Sequence, residues 1–287
     1  MVQRQKILVT GGSGQLGSEL KILSSSFPQF EFLFPTSAEL HIEDFDGLKY
    51  FFNASSPAFC INCAAYTAVD KAETDKEQAF LINGLAVGQL ASICKEFNTG
   101  FIHISTDYVF DGTAKVPYTE ETTTSPVNIY GASKLDGEKK AFGSNSDSVI
   151  IRTSWVYSPF GKNFVKTMLR LMFEKPQISV VNDQAGSPTY AADLAGAVMT
   201  IISSENWHPG IYHFSNSGKI SWFEFAQAIK QLSHSNCEVN PVPTSQYPTP
   251  AKRPAYSVLN NSKIQDTYNI QPIPWKSSLA KCLERLQ

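Results

Sequence analysis

The sequence predicts an α/β protein, a doubly wound parallel sheet with a smaller C-terminal lobe. Three observations predict it. Short apolar runs alternate with helix-like segments through the first two thirds of the 287 residues, the signature of successive β-α-β units. The first of these runs leads straight into a glycine-rich turn that opens a helix. After about residue 155 the alternation loosens, which fits an attached lobe better than a second sheet domain.

Taken in order, strands are expected at 6–10, 30–34, 58–62, 101–105 and 149–153. Helices are expected between them at 15–25, 45–53, 76–97 and 130–142. The third carries Phe80, Leu81, Leu85, Val87, Leu90, Ile93 and Cys94 at near-helical spacing. Beyond 155, helices are expected at 164–173, 193–203, 222–232 and 279–286, with a short strand at 211–214. Pro241, Pro243, Pro248, Pro250 and Pro254 are dense enough for a linker, yet Tyr247, Lys252 and Arg253 lie among them and an apolar helix follows. The segment reads as an ordered loop crossing the domain surface. The expected division is a sheet domain over 1–154, joined by the helix in 190–205, and a lobe made mainly of 155–287.

Composition narrows the class. With 42% hydrophobic and 17% charged residues the chain is not disordered, collagenous or coiled-coil. Its net charge, 24 − 26 = −2, provides no basic field for nucleic acid or an anionic membrane. The early apolar run 7–9 is too short for a signal peptide and no later run approaches a membrane span, so a cytoplasmic protein is expected. Five scattered cysteines argue against a disulfide framework. Cys60 and Cys63 fall in an apolar strand, where positions three apart point to opposite faces, and read as buried hydrophobes. The five histidines show no metal-ligand spacing, and no catalytic metal is expected.

Between the first strand and the first helix lie Gly11, Gly12, Gly14 and Gly17, the last three in G-x-G-x-x-G spacing. In that setting glycines give a tight turn, close backbone approach to a pyrophosphate and close packing of helix on strand, and the helix N-terminus offers free N–H groups. A Rossmann-type dinucleotide site is expected. An acid ending the second strand would indicate NAD and a base NADP, but the strand runs out into Phe34, Pro35, Thr36 and Ser37. Glu31 lies inside the strand, where it would miss the ribose. The preference stays open at this stage: NADP(H), with NAD(H) as the other option.

The fourth strand ends in Ser105, Thr106 and Asp107, hydroxyls and an acid at the sheet edge where ligands of α/β sheets bind. Tyr130 and Lys134 are one helical turn apart and point to the same place. The ammonium and a cationic nicotinamide are expected to lower the phenol from its usual pKa of about 10 toward working pH, fitting Tyr130 for proton transfer. Alone, such a pair reads as a solvated helix face; after the cradle and the hydroxyl-bearing strand end it does not. The three features together resemble the extended short-chain dehydrogenase/reductase superfamily, and the resemblance implies Thr106, Tyr130 and Lys134 as the catalytic group.

Longer strings sharpen this. Residues 64–73, STDYVFDG at 105–112, YGASKLDGE at 130–138, RTSWVY at 152–157, 163–165, 183–189 and YPTPAKRP at 247–254 resemble the dTDP-4-dehydrorhamnose reductase family over nearly the whole chain. The resemblance implies hydride transfer from NAD(P)H to C4 of a dTDP-linked 4-keto-6-deoxy sugar, giving dTDP-L-rhamnose for surface polysaccharide. It implies that Gly11, Gly14, Gln15, Leu16 and Gly17 hold the pyrophosphate and that Ala64, Ala65 and Tyr66 line the adenosine side. Tyr130 and Lys134 would also meet the cofactor. Val69, Thr106, Asp107 and Trp155 would border the sugar, with Asn163 and Arg253 at the diphosphate. His41 stands where the family commonly has an Asp near the adenine. Glu19 and Glu284 match a metal-bridged dimer site in some members, but Ala192 replaces the third ligand, so monomer and homodimer both stay open. Other readings are another sugar-nucleotide reductase or epimerase, or a non-catalytic NADP-binding regulatory subunit. A dehydratase would need a second acid after Asp107, where Tyr108 stands.

Overall fold

A computed structural model describes residues 4–204 and 206–286. Its first half contains β1 (Gln5–Thr10), α1 (Gln15–Leu23), β2 (Phe30–Leu33), α2 (Phe45–Ser55), β3 (Phe59–Asn62), α3 (Val69–Ala72), α4 (Lys76–Phe80), α5 (Ala86–Glu96), β4 (Gly100–Thr106), α6 (Ile129–Ser144) and β5 (Val149–Thr153). There follow β6 (Val156–Tyr157), α7 (Phe164–Glu174), β7 (Gln177–Val181), β8 (Ala185–Gly186), β9 (Thr189–Tyr190), α8 (Ala191–Ser203) and β10 (Gly210–His213). The chain ends with β11 (Ile220–Ser221), α9 (Trp222–Leu232), β12 (Glu238–Val242), α10 (Ser262–Tyr268) and α11 (Trp275–Glu284).

The central sheet has six parallel strands in the order β2-β1-β3-β4-β5-β10. From β1 the chain first moves outward to β2, then crosses back to β3 and continues the other way. That reversal opens a crevice between the loops after β1 and β3, the usual ligand site of such sheets. Alternate strand residues feed two apolar layers. Ile7, Val9, Ile61, Ile102 and Ile151 pack on Leu16 and Leu20 of α1 and Leu194 and Val198 of α8. Leu8, Cys60, Phe101 and Ile150 pack on Leu48 and Phe52 of α2 and Leu90 and Ile93 of α5. Each fully buried aliphatic side chain contributes roughly 1.5–3 kcal/mol. Cys60 and Cys63 face opposite layers, as the strand pattern predicts, and both are free thiols.

Two elements depart from expectation. The strand at 211–214, read with the smaller lobe, is β10, the edge of the main sheet, where Tyr212 and His213 pair with Ile151 and Arg152 of β5. The continuous helix at 76–97 is broken by a π-helical turn at Leu81–Leu85. The turn lies where α6 comes close: a Cβ on Gly84 would strike Asp136. The turn lets Asn83 reach sideways, its Oδ1 accepting from Tyr66 N at 2.8 Å and its Nδ2 donating to Tyr66 O and Ser133 Oγ at 3.0 Å each.

The lobe packs α7, α9 and α11 on the parallel pair β7–β12, around Met168, Phe225, Ile229, Val239 and Leu279. The proline-rich segment is ordered and crosses to the sheet domain. There Ala251 N donates to Asp70 Oδ1 at 3.1 Å, and Asn128 Nδ2 donates to Lys252 O at 2.8 Å. Among the described residues no helix is long and apolar enough to cross a membrane.

Candidate active site

A cavity of about 860 Å³ opens at the carboxyl ends of β1, β3, β4 and β5, its wall continuing onto Trp155 and Gly161. At one end is the glycine turn. Gly11 has φ +67°, and a Cβ there would sit 2.6 Å from Ala64 N. A Cβ on Gly17 would sit 2.5 Å from Gly11 O, so α1 lies against the turn only because this residue is glycine. Gly14 caps α1 without a side chain, leaving the first helical N–H groups free for an anion. Gly11, Gly14, Gln15 and Leu16 line the cavity, while Gly17 packs beneath it. These features fit a dinucleotide's pyrophosphate.

Beyond the cradle the wall is formed by Ala64 and Ala65, with Ser37, His41 and Glu43 on the far side. Tyr66 is not on the wall, contrary to expectation. Asn83 grips its backbone, and its hydroxyl donates to Asp75 Oδ2 at 3.1 Å, which draws the ring away. Ser37 and Glu43 were missed by sequence reasoning because the loop after β2 carries no motif. Thr36 in that loop is closed on itself, its N and Oγ1 both donating to Glu39 Oε2.

At the other end, Thr106, Tyr130 and Lys134 line the same cavity. α6 begins at Asn128, whose side chain accepts from Gly131 N at 2.8 Å, and this cap fixes where the helix starts and so where Tyr130 and Lys134 emerge. The Tyr130 ring packs edge-on to Tyr108 at 5.6 Å. Lys134 is 2% exposed; its Nζ donates to Ile104 O at 2.6 Å and lies 3.2 Å from His103 Nε2. Burial lowers its pKa to about 8, against the opposing pull of Glu138. The Tyr130 phenol does not follow the expected downward shift. Burial pushes it to about 12, with Thr106 pulling weakly against this and Asp107 adding to it. Desolvation of the phenolate dominates, and the Lys134 ammonium is directed at His103 and Ile104.

Val69, Asp107 and Trp155 are on the wall as expected. Asp107 accepts from Thr106 Oγ1 at 3.0 Å through Oδ1, while its buried Oδ2 has no protein partner. Burial raises this carboxyl to about 6, against the pull of the neighbouring Ser257 and Thr106 hydroxyls, although Ser257 makes no well-formed hydrogen bond to Oδ2. Trp155 has φ +49°, an uncommon conformation for a bulky residue, and is stacked on Trp222 with centroids 3.5 Å apart and planes 8° apart. The stack and the bare face of Gly186, which has no room for a Cβ beside the indole, hold it there.

Asn163 and Arg253 are not on the wall. Asn163 caps α7, accepting from Lys166 N, and its Nδ2 donates to Gln15 Oε1 at 2.9 Å and Ser158 O at 2.8 Å. Its amide is used up in tying the cradle to the lobe. Arg253 is engaged by Asp70. Glu19, also weighed from sequence, is 2% exposed and paired with Arg285 at 2.8 Å.

A family model described as the RmlD substrate binding domain matches residues 5–287. The chain is 42% identical over 280 residues to the spore coat polysaccharide biosynthesis protein SpsK of Bacillus subtilis, covering 97% of each. The crystal structure of a dTDP-4-dehydrorhamnose reductase from Clostridium acetobutylicum superposes with a TM-score of 0.94 at 40% identity, covering 99% of this chain and 100% of that one. A dTDP-4-dehydrorhamnose reductase from Bacillus anthracis, solved in complex with NADP, superposes with the same score at 35% identity and the same coverage.

Proposed function

Because the chain belongs to the dTDP-4-dehydrorhamnose reductase family, we propose that it reduces the C4 keto group of dTDP-4-dehydro-L-rhamnose to dTDP-L-rhamnose for surface polysaccharide. The observation that carries this reading is that Thr106, Tyr130 and Lys134 share one cavity with the glycine cradle. The coenzyme is NADP(H), the one bound in the Bacillus anthracis relative, with NAD(H) as the other option. The protein works in the cytoplasm as a monomer or homodimer, without nucleic-acid or membrane partners. The sheet domain holds the coenzyme and the smaller lobe closes on the sugar nucleotide.

Gly11, Gly14, Gln15 and Leu16 bind the pyrophosphate, Ala64 and Ala65 flank the adenosine side, and Lys134 holds the nicotinamide ribose. Bound there, the reduced nicotinamide supplies the hydride that C4 receives. As negative charge grows on the C4 oxygen, Tyr130 gives it a proton. A phenol pushed up to about 12 is fully protonated in the resting enzyme, the state an acid requires. Thr106 Oγ1 turns its single proton from Asp107 Oδ1 to the same oxygen and stabilises its developing charge. Asp107 Oδ2, a buried acceptor without a partner, takes a sugar hydroxyl. Val69 and Trp155 exclude water from the ring, and alignment of the two reactants supplies much of the rate.

The test is an absorbance assay at the nicotinamide band. Purified protein oxidises NADPH only when the dTDP-4-keto sugar is added, and Tyr130→Phe lowers turnover about a hundredfold or more. No net oxidation with that sugar would remove the reductase reading. Unchanged turnover in the variant would remove Tyr130 from the mechanism.

A further inference from the structure

Three polar side chains lie in register across the central sheet. Thr10 of β1 is the Cα partner of Asn62 of β3, and Asn62 is the partner of His103 of β4. All three are buried. Thr10 Oγ1 donates to Asn62 Oδ1 at 2.6 Å, Asn62 Nδ2 lies 3.0 Å from His103 Nδ1, and His103 Nε2 lies 3.2 Å from Lys134 Nζ. Apolar residues fill most neighbouring sheet positions and would pack this space at less cost, so the ladder must be satisfied internally to persist.

The ammonium dictates the direction of the ladder. Lys134 has only donors, so the Nε2 that faces it carries a lone pair. Burial and the Lys134 charge hold the His103 pKa well below its ordinary value, so the ring is neutral and its single proton is on Nδ1. That proton needs an acceptor, which requires the Asn62 amide to be turned end for end from the placement above, its carbonyl against His103 and its NH₂ against Thr10. The two ends of an amide have the same shape, and hydrogen-bond partners decide between them. Thr10 Oγ1 then accepts from Asn62, and its own proton is free toward the cavity that Thr10 lines beside Gly11.

We propose that His103 is a positioning residue for Lys134 and the centre of a one-way hydrogen-bond chain, Lys134 to His103 to Asn62 to Thr10, that ends in a hydroxyl donor for the dinucleotide's pyrophosphate. The chain couples the two ends of the cavity: an anion at Thr10 favours the polarity in which Lys134 is charged, and a charged Lys134 turns a donor toward the anion. The other titratable groups around Lys134 are Cys63 after β3 and, on α6, Tyr130 one turn back and Glu138 one turn on, the last paired with Arg152 of β5. His103 itself stacks on Phe101, centroids 6.3 Å apart. The inference rests on the reading of Lys134 as the residue that orients the coenzyme.

The test uses the free, full-length protein. A nitrogen-15 histidine spectrum near neutral pH, assigned with His103→Gln, should show the Nδ1–H tautomer for His103; an Nε2–H tautomer overturns the proposal. The Lys134 titration, followed at its carbon-13-labelled Cε, should have a midpoint lower by about one pH unit in His103→Leu and changed by only a few tenths in His103→Gln, whose carbonyl still accepts. An unchanged midpoint in His103→Leu overturns it. If that variant fails to fold, Asn62→Leu makes the same test, since Nδ1–H loses its acceptor. In the steady state Thr10→Val should raise KM for NADPH about tenfold with little change in kcat; an unchanged KM removes the hydroxyl end of the chain. The spectra do not depend on turnover, so a chain that failed to reduce the dTDP sugar would refute its function and leave this test standing.

Discussion

The Arg253 guanidinium forks onto the Asp70 carboxylate, Nη1 to Oδ1 at 2.9 Å and Nη2 to Oδ2 at 2.8 Å, fastening the proline-rich strap to α3. Asp70 is the chain neighbour of Val69, which lines the cavity, and the hydrogen bonds from Arg253 hold its carboxyl below the usual range. The pair is only half-buried, so its worth to folding is small. Under the proposed function the guanidinium would exchange Asp70 for the sugar-nucleotide diphosphate. Arg253→Met should therefore raise KM for the sugar nucleotide about tenfold or more while NADPH affinity stays within about twofold. Equal losses in both would mean that the lobe had shifted and that Arg253 does not meet the diphosphate.

What could be read before the structure was known was local chemistry. The glycine turn and the Tyr130–Lys134 spacing are set within one helical turn of their own neighbours, and both are where the sequence puts them. Tyr66, Asn163 and Arg253 are plausible ligand residues by type, but their hydrogen bonds go to Asp75, Gln15 and Asp70, partners that only the folded chain brings near. β10 was visible as a strand; its place beside β5 was not, because apolar alternation says nothing about which strand will be the neighbour. The π turn in the α4–α5 segment was hidden because the apolar spacing there stays near-helical, and its side-chain contacts are with α6, distant in sequence.

The two perturbed groups that face the substrate predict a bell-shaped pH profile of kcat/KM, the parameter that reports the free enzyme. As pH falls through about 6, Asp107 takes a proton and its Oδ2 no longer accepts the sugar hydroxyl. As pH rises through about 8, Lys134 loses its charge. Asp107→Asn should abolish the acid limb and leave the alkaline one. Stability has the opposite sign at Asp107. Its folded pKa lies above the ordinary 3.8, so the native state retains a proton that the unfolded chain has released. This contribution is complete below 3.8 and is lost as pH rises through about 6. Urea titrations of parent and Asp107→Asn across that window should diverge on the high-pH side, with the variant relatively more stable. A parallel pair of curves would mean that Asp107 is ionised throughout.

Coenzyme choice should turn on Ser37. It lines the cavity beyond β2, and no carboxylate occupies the end of that strand. A hydroxyl leaves room for the 2′-phosphate, whereas an acid repels it and takes the ribose 2′-hydroxyl instead. Ser37→Asp should lower kcat/KM for NADPH at least about tenfold and leave or improve that for NADH. A variant that lost both coenzymes equally would show that the loop, and not the charge, sets the preference.

Glu138 and Arg152 form the most deeply buried ion pair among the described residues, and their removal separates folding from catalysis. Arg152 Nε and Nη2 donate to the two carboxylate oxygens at 2.9 and 2.7 Å, Ser105 Oγ adds a further bond, and Phe110 lies under the guanidinium at 5.1 Å. His213 beside them is held neutral, its pKa lowered to about 3 by burial and by Arg152, so it cannot replace a lost charge. Taking away one partner strands the other in a low dielectric, at a cost of about 3–5 kcal/mol, while replacing both with apolar residues restores most of it. Glu138→Leu should thus be severely destabilised in urea, and the Glu138→Leu, Arg152→Leu double variant should recover at least about half of the loss. The double variant should also show a lower alkaline limb in kcat/KM, because Glu138 is the charge that supports the Lys134 ammonium from its own helix. Recovery of stability without that shift would detach Glu138 from Lys134 and leave the pair a purely structural element.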